Sequence, residues 1–93
     1  MKEFNGYLSV WFRVKTADPG GSVVFGVLKD SPNEKDGTIW RTDKVLHFNH
    51  AKDYIETKDC RYTLGVKLEK KENIAVILEH FGMADKADLL EYL

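Results

Sequence analysis

From Tyr7 to Lys15 apolar and polar side chains alternate. Leu8, Val10, Phe12 and Val14 fall on one face, and Tyr7, Ser9, Trp11, Arg13 and Lys15 on the other. A period of two is that of a half-buried strand. Ala17-Asp18-Pro19-Gly20-Gly21-Ser22 follows. Proline presets one turn dihedral and glycine accepts positive φ, so this stretch predicts a hairpin loop. Val23 to Lys29 is the returning strand, apolar on both faces. That pattern places it centrally, covered from both sides, with Gly26 marking a bulge or a close contact.

Asp30 to Gly37 is polar, and its Asp36-Gly37 step favours a tight turn. Thr38 to Phe48 reads as a third strand, with charges in its middle that suit an edge. In residues 49–59, Asn49 is placed to cap a short helix through Ala51, Tyr54 and Ile55. Arg61 to Leu68 alternates again, with Tyr62, Leu64, Val66 and Leu68 on one face.

The period then changes. Ile74, Ile77, Leu78 and Phe81 recur at helical spacing, and Gly82 suits a left-handed helix end. Asp85 is placed to cap a second helix carrying Ala87, Leu89, Leu90 and Leu93. The order β-β-β-(short α)-β-α-α predicts an α+β fold. Its expected form is an antiparallel four-stranded sheet with a C-terminal helical hairpin on one face. Residues 1–93 are expected to form one domain, its sheet spanning about 4–68 and its helices about 72–93.

Composition adds compartment and charge. Cys60 is the single cysteine, so no internal disulfide is available, and the hydrophobic core must hold the fold. That points to a reducing, cytoplasmic setting. No apolar run approaches a membrane span, and the N-terminal residues do not resemble a signal peptide. Residues 1–71 hold 13 Lys/Arg against 10 Asp/Glu, whereas residues 72–93 hold one Lys against five Asp/Glu. A mildly acidic segment thus follows a mildly basic one.

Candidate chemistry is sparse. His47, His50 and Asp53 have the types and spacing of weak metal ligands, provided one helical turn carries them. At the end of a strand the same spacing sends the two imidazoles to opposite faces. Cys60 lacks a neighbouring basic pocket or helix start that would activate a thiol. Elbow, P-loop and dinucleotide glycine patterns are missing, and no cofactor is called for.

Two binding modes remain. Tyr7, Trp11, Arg13 and Lys15, with Trp40, Arg41 and Lys44 and with Arg61 and Lys67, interleave aromatics and cations. On an open sheet such residues stack bases and hold phosphates, so single-stranded nucleic acid is one expected partner. The acidic C-terminal helices do not suit reading of duplex DNA. The other expectation is a non-catalytic module that binds a protein partner, with inhibition of that partner as one form of it. Trp11, Arg13, Trp40 and Arg41 are then the contact residues, since exposed tryptophan and arginine form interface hot spots. Small domains of this kind are frequent among adaptor, inhibitor and phage or mobile-element accessory proteins. An edge strand also allows a homodimer.

Overall fold

The computed structural model describes residues 3–93. It contains β1 (Glu3–Lys15), β2 (Ser22–Lys29), β3 (Thr38–Arg41), β4 (His47–Asn49), β5 (Tyr54–Glu56), β6 (Cys60–Lys67) and α1 (Lys71–Glu79), followed by a 3-10 turn at Ala84–Lys86. The six strands form one sheet in the order β3-β2-β1-β6-β5-β4. The pair β1–β6 is parallel and the other pairs are antiparallel.

This corrects the expected antiparallel four-stranded sheet with a helical hairpin. The single long strand candidate at 38–48 is in fact two short strands at opposite edges of the sheet. The stretch between them bonds both ways. The Thr42 and Val45 N–H groups donate to the carbonyls of Val24 and Ser22, both at 2.8 Å, while the Leu46 N–H donates to that of Glu56 at 2.8 Å. One linker therefore ties β2 to β5, and the sheet rolls on itself.

The short helix expected in residues 49–59 is replaced by the β4–β5 hairpin. Asn49 does cap, but it caps a turn: its Oδ1 accepts the Lys52 N–H at 2.9 Å. Asp53 then adopts φ 51°, which ends the turn and returns the chain to β5. With β4 and β5 added, β6 comes to lie beside β1 in the parallel sense.

Helix α1 lies where the periodicity put it, burying Ile74, Ile77 and Leu78. Gly82 has φ 70°, and the Met83 N–H returns to the Leu78 carbonyl at 2.9 Å. The second helix does not form. Beyond the 3-10 turn the chain extends, and Tyr92 bridges to Val14 of β1. Leu89 is 81% and Leu93 45% exposed, so the apolar spacing there does not build a packed helical face.

The rolled sheet has an inner and an outer cluster. Leu8, Trp11, Val24, Leu28, Val45, Ile55, Tyr62 and Leu64 fill the inner side. Phe12, Val14 and Phe25 on the outer side are covered by Ile74, Ile77, Leu78 and Ala87. A break in the β1 register divides the strand between the two. Leu8 pairs with Leu28 but Val10 with Val27, so Ser9 is an extra residue. Such a bulge reverses the alternation beyond it. Leu8 therefore faces inward while Val10, Phe12 and Val14 face outward, and they do not share one face as the simple alternation implies. Among the described residues, no helix is long and apolar enough to cross a membrane.

Candidate functional site

The same bulge decides where the expected contact residues go. Trp11 turns into the inner cluster and is only 7% exposed, which corrects its placement on the solvent side. Its indole N–H donates to the Gly65 carbonyl at 3.2 Å, and its ring lies 5.6 Å from that of Phe48. Trp40 is half-buried against the same cluster, and its Nε1 donates to the Tyr62 hydroxyl at 3.1 Å. Arg13 is also half-buried. Its Nε donates to Ser22 Oγ at 2.9 Å, and the guanidinium rests over Phe48 at 4.7 Å. Arg41, on edge strand β3, stays exposed.

The rest of the aromatic and basic set is divided as well. Lys67 sits over the buried Trp11 ring at 5.8 Å, and Arg61 over Tyr54 at 3.9 Å. His47 packs beside Tyr54 with centroids 5.8 Å apart, and His50 on Phe48 at 4.3 Å. Each imidazole thus has a different aromatic neighbour. Among the described residues, His47, His50 and Asp53 are not gathered into a group that could hold a metal ion.

A feature that alternation alone missed lies on the outer face. Cross-strand pairing puts Ile39, Val27, Val10 and Val66 in one row over four strands. Residues in register across a sheet share a face. Ile39, Val27 and Val10 are half-buried, and Val66 is 66% exposed. The next row runs Lys29, Tyr7, Thr63 and Tyr54, and beyond it Phe4 pairs with Arg61, which pairs with Glu56. Phe81, at the end of α1, packs edge-on to Phe25 and is partly exposed.

Helix α1 and the C-terminal chain cover the Phe12, Val14 and Phe25 end of the outer face. The row from Ile39 to Val66 runs along the margin of that cover. The result is a partly open band of β-branched side chains: Val10, Val27 and Ile39 pack against that outer cluster with part of each exposed, and Val66 extends the row into solvent. Lys29, Arg61 and Arg41 lie on the same face, with Glu56 as a carboxylate beside Arg61. A signal for this surface was present in the sequence: Val23 to Leu28 is apolar at every position except Gly26.

The inner side carries a buried polar network that fixes this geometry. The Tyr62 hydroxyl accepts from Asn5 Nδ2 at 3.0 Å and from Trp40 Nε1, and Asn33 Nδ2 donates to Asn5 Oδ1 at 3.2 Å. Burial pushes the Tyr62 phenol upward, opposed by the two donors, which favour the phenolate, and assisted by neighbouring Cys60.

Neither a protein-family model nor a curated protein nor a solved structure matches the chain.

Proposed function

We propose that this chain is a non-catalytic interaction module that takes a protein partner on the open band of its outer sheet face. The observation that carries the reading is the row Ile39–Val27–Val10–Val66, apolar over four adjacent strands and never fully buried. Contiguous exposed apolar surface with a polar rim is characteristic of an interaction site. Lys29 and Arg41 beside the band, with Arg61 one row beyond Lys29, suit a partner whose apolar strip is flanked by acids. The expected tryptophan contacts are thereby replaced: Arg41 stays in the contact set, and Trp11 becomes part of the scaffold. The single free cysteine fits a reducing cytoplasmic setting.

Nucleic acid is the weaker reading. Stacking needs free ring faces. Trp11 is buried, Trp40 is half-buried and bonded to Tyr62, and Arg61 already covers Tyr54.

The test is capture from native lysate, with and without nuclease, by the wild type and two variants. Val66→Glu changes the band. Val76→Glu changes an equally exposed valine of α1 (67% against 66%). The proposal expects a nuclease-resistant protein that Val76→Glu retains and Val66→Glu loses. Loss on nuclease treatment transfers the reading to nucleic acid, and retention by Val66→Glu overturns the band as the site.

A further inference from the structure

A second candidate site lies elsewhere and does not depend on the open band. Strand β6 leaves β1 at Leu68, whose N–H donates to the Trp11 carbonyl at 2.7 Å. The C-terminal chain joins the same edge of β1 further along, where the Leu93 N–H donates to the Arg13 carbonyl at 3.0 Å. Between these two attachments a cleft of about 230 Å³ opens, bounded also by the start of α1.

Its apolar walls are Phe12, Leu68, Ile74 and Tyr92. Phe12 and Ile74 are buried and Leu68 and Tyr92 half-buried, so these side chains form its depth. Lys67 and Lys71 line it as well, with the Glu69 carboxylate and with Leu93, and Arg13 borders it while its guanidinium is turned to Ser22 and Phe48. Lys71 is held by the exposed Asp88 at 3.0 Å, a surface pair of small worth. Among the described residues, neither Arg13 nor Lys67 has a salt-bridge partner, and each is instead propped over an aromatic ring. Burial lowers the Arg13 pKa, as expected for a cation partly withdrawn from water.

The helix end points the same way. Lys70 caps α1 with no side-chain hydrogen bond, so the first-turn N–H groups have no side-chain acceptor from the cap. The positive end of the helix dipole adds to the field of the cations, and Glu72 in the first turn offsets part of it.

We infer that this cleft binds a small amphipathic anion, an organic carboxylate with a compact apolar body. Its apolar part packs among Phe12, Leu68, Ile74 and Tyr92, while the carboxylate meets Lys67 and the start of α1. The space lies below the ~300 Å³ lower end of drug-sized pockets, which favours a single small molecule over a peptide segment.

The probes are benzoate and hexanoate, titrated into the full chain and followed residue by residue by NMR. Benzyl alcohol and hexylamine serve as neutral and cationic counterparts. Saturable shifts are expected at Leu68, Ile74 and Tyr92 with the carboxylates only. Lys67→Gln is expected to weaken binding about tenfold, the order of one charged contact. Lys15→Gln, at an exposed lysine paired with Glu91 and outside the cleft, leaves affinity unchanged. Equal binding of the alcohol or amine, shifts centred elsewhere, unchanged affinity in Lys67→Gln, or no saturable shift would each overturn the inference.

Discussion

Trp11 and Trp40 flank a single glycine: both pair with Gly26, one from β1 and the other from β3. The glycine is required by close approach. A Cβ at position 26 would collide with the Val10 carbonyl oxygen, and would press on Leu8 Cδ2 and Trp11 Cα at 3.3 Å. Val10 is the first residue beyond the bulge, so the clash falls on backbone that cannot swing away. Gly26→Ala is expected to destabilise the protein by about 2–4 kcal/mol, in the range of an overpacked core with backbone displacement. Urea unfolding measures this, and a change below about 0.5 kcal/mol would show that the strands separate easily here.

The two tryptophans should differ in what their removal does. Trp11 is buried in the inner cluster, so Trp11→Ala is expected to cost about 3–5 kcal/mol, typical of large-to-small core changes. For a domain of this size that is a fall of roughly 15–30 °C in Tm. Trp40→Phe keeps most of the apolar contact and removes the hydrogen bond to Tyr62, with an expected cost of about 1 kcal/mol. Thermal melts of both variants decide the point. A Trp11→Ala protein that melts with the wild type would place Trp11 back on the surface.

Tyr62 supplies a pH test. Its folded-state pKa lies above the ordinary value near 10, so the folded protein holds the phenolic proton more tightly than the unfolded chain. The associated stability is fully present below about pH 10 and is lost as pH rises through the folded-state pKa. Tyr92 is raised in the same direction, chiefly by burial, and adds with the same sign. Stability is therefore expected to fall above about pH 10, and to fall less steeply in Tyr62→Phe. That variant should be weaker at neutral pH by about 1–3 kcal/mol, because the Asn5 and Trp40 donors lose their acceptor. Denaturant midpoints between pH 8 and 11 provide the comparison. An equally steep fall in Tyr62→Phe would remove Tyr62 as a source.

Much of the chain was legible because local pattern and final structure agree. The β1–β2 hairpin, the 30–37 loop ending at Gly37 with φ 90°, and α1 with its glycine stop all follow from spacing and turn chemistry. One inserted residue breaks the agreement. Ser9 supports an unbroken alternation on paper, while in the sheet its extra position sends Trp11 inward and Val10 outward. Position 65 accommodates the same irregularity on β6: a Cβ there would strike the Ser9 carbonyl and the Tyr7 ring. Neither event leaves a mark in hydropathy, because Ser and Gly are neutral in that pattern. The β4–β5 hairpin was hidden for another reason. Its strands are three residues each, too short to show a period, and Asn49 caps a turn as readily as it caps a helix.

The contact set follows from the same geometry. Of Trp11, Arg13, Trp40 and Arg41, only Arg41 stands exposed, while the band was reachable only through strand register.

The most direct test of the open band is site-specific photo-crosslinking in native lysate. A photoreactive benzoylphenylalanine is placed at position 66 or at position 76, both exposed in the free protein. A discrete, nuclease-resistant protein adduct from position 66 and none from position 76 is the expected result. Adducts from 76 alone, or the same diffuse background from both positions, would contradict the assignment of the band as the partner surface.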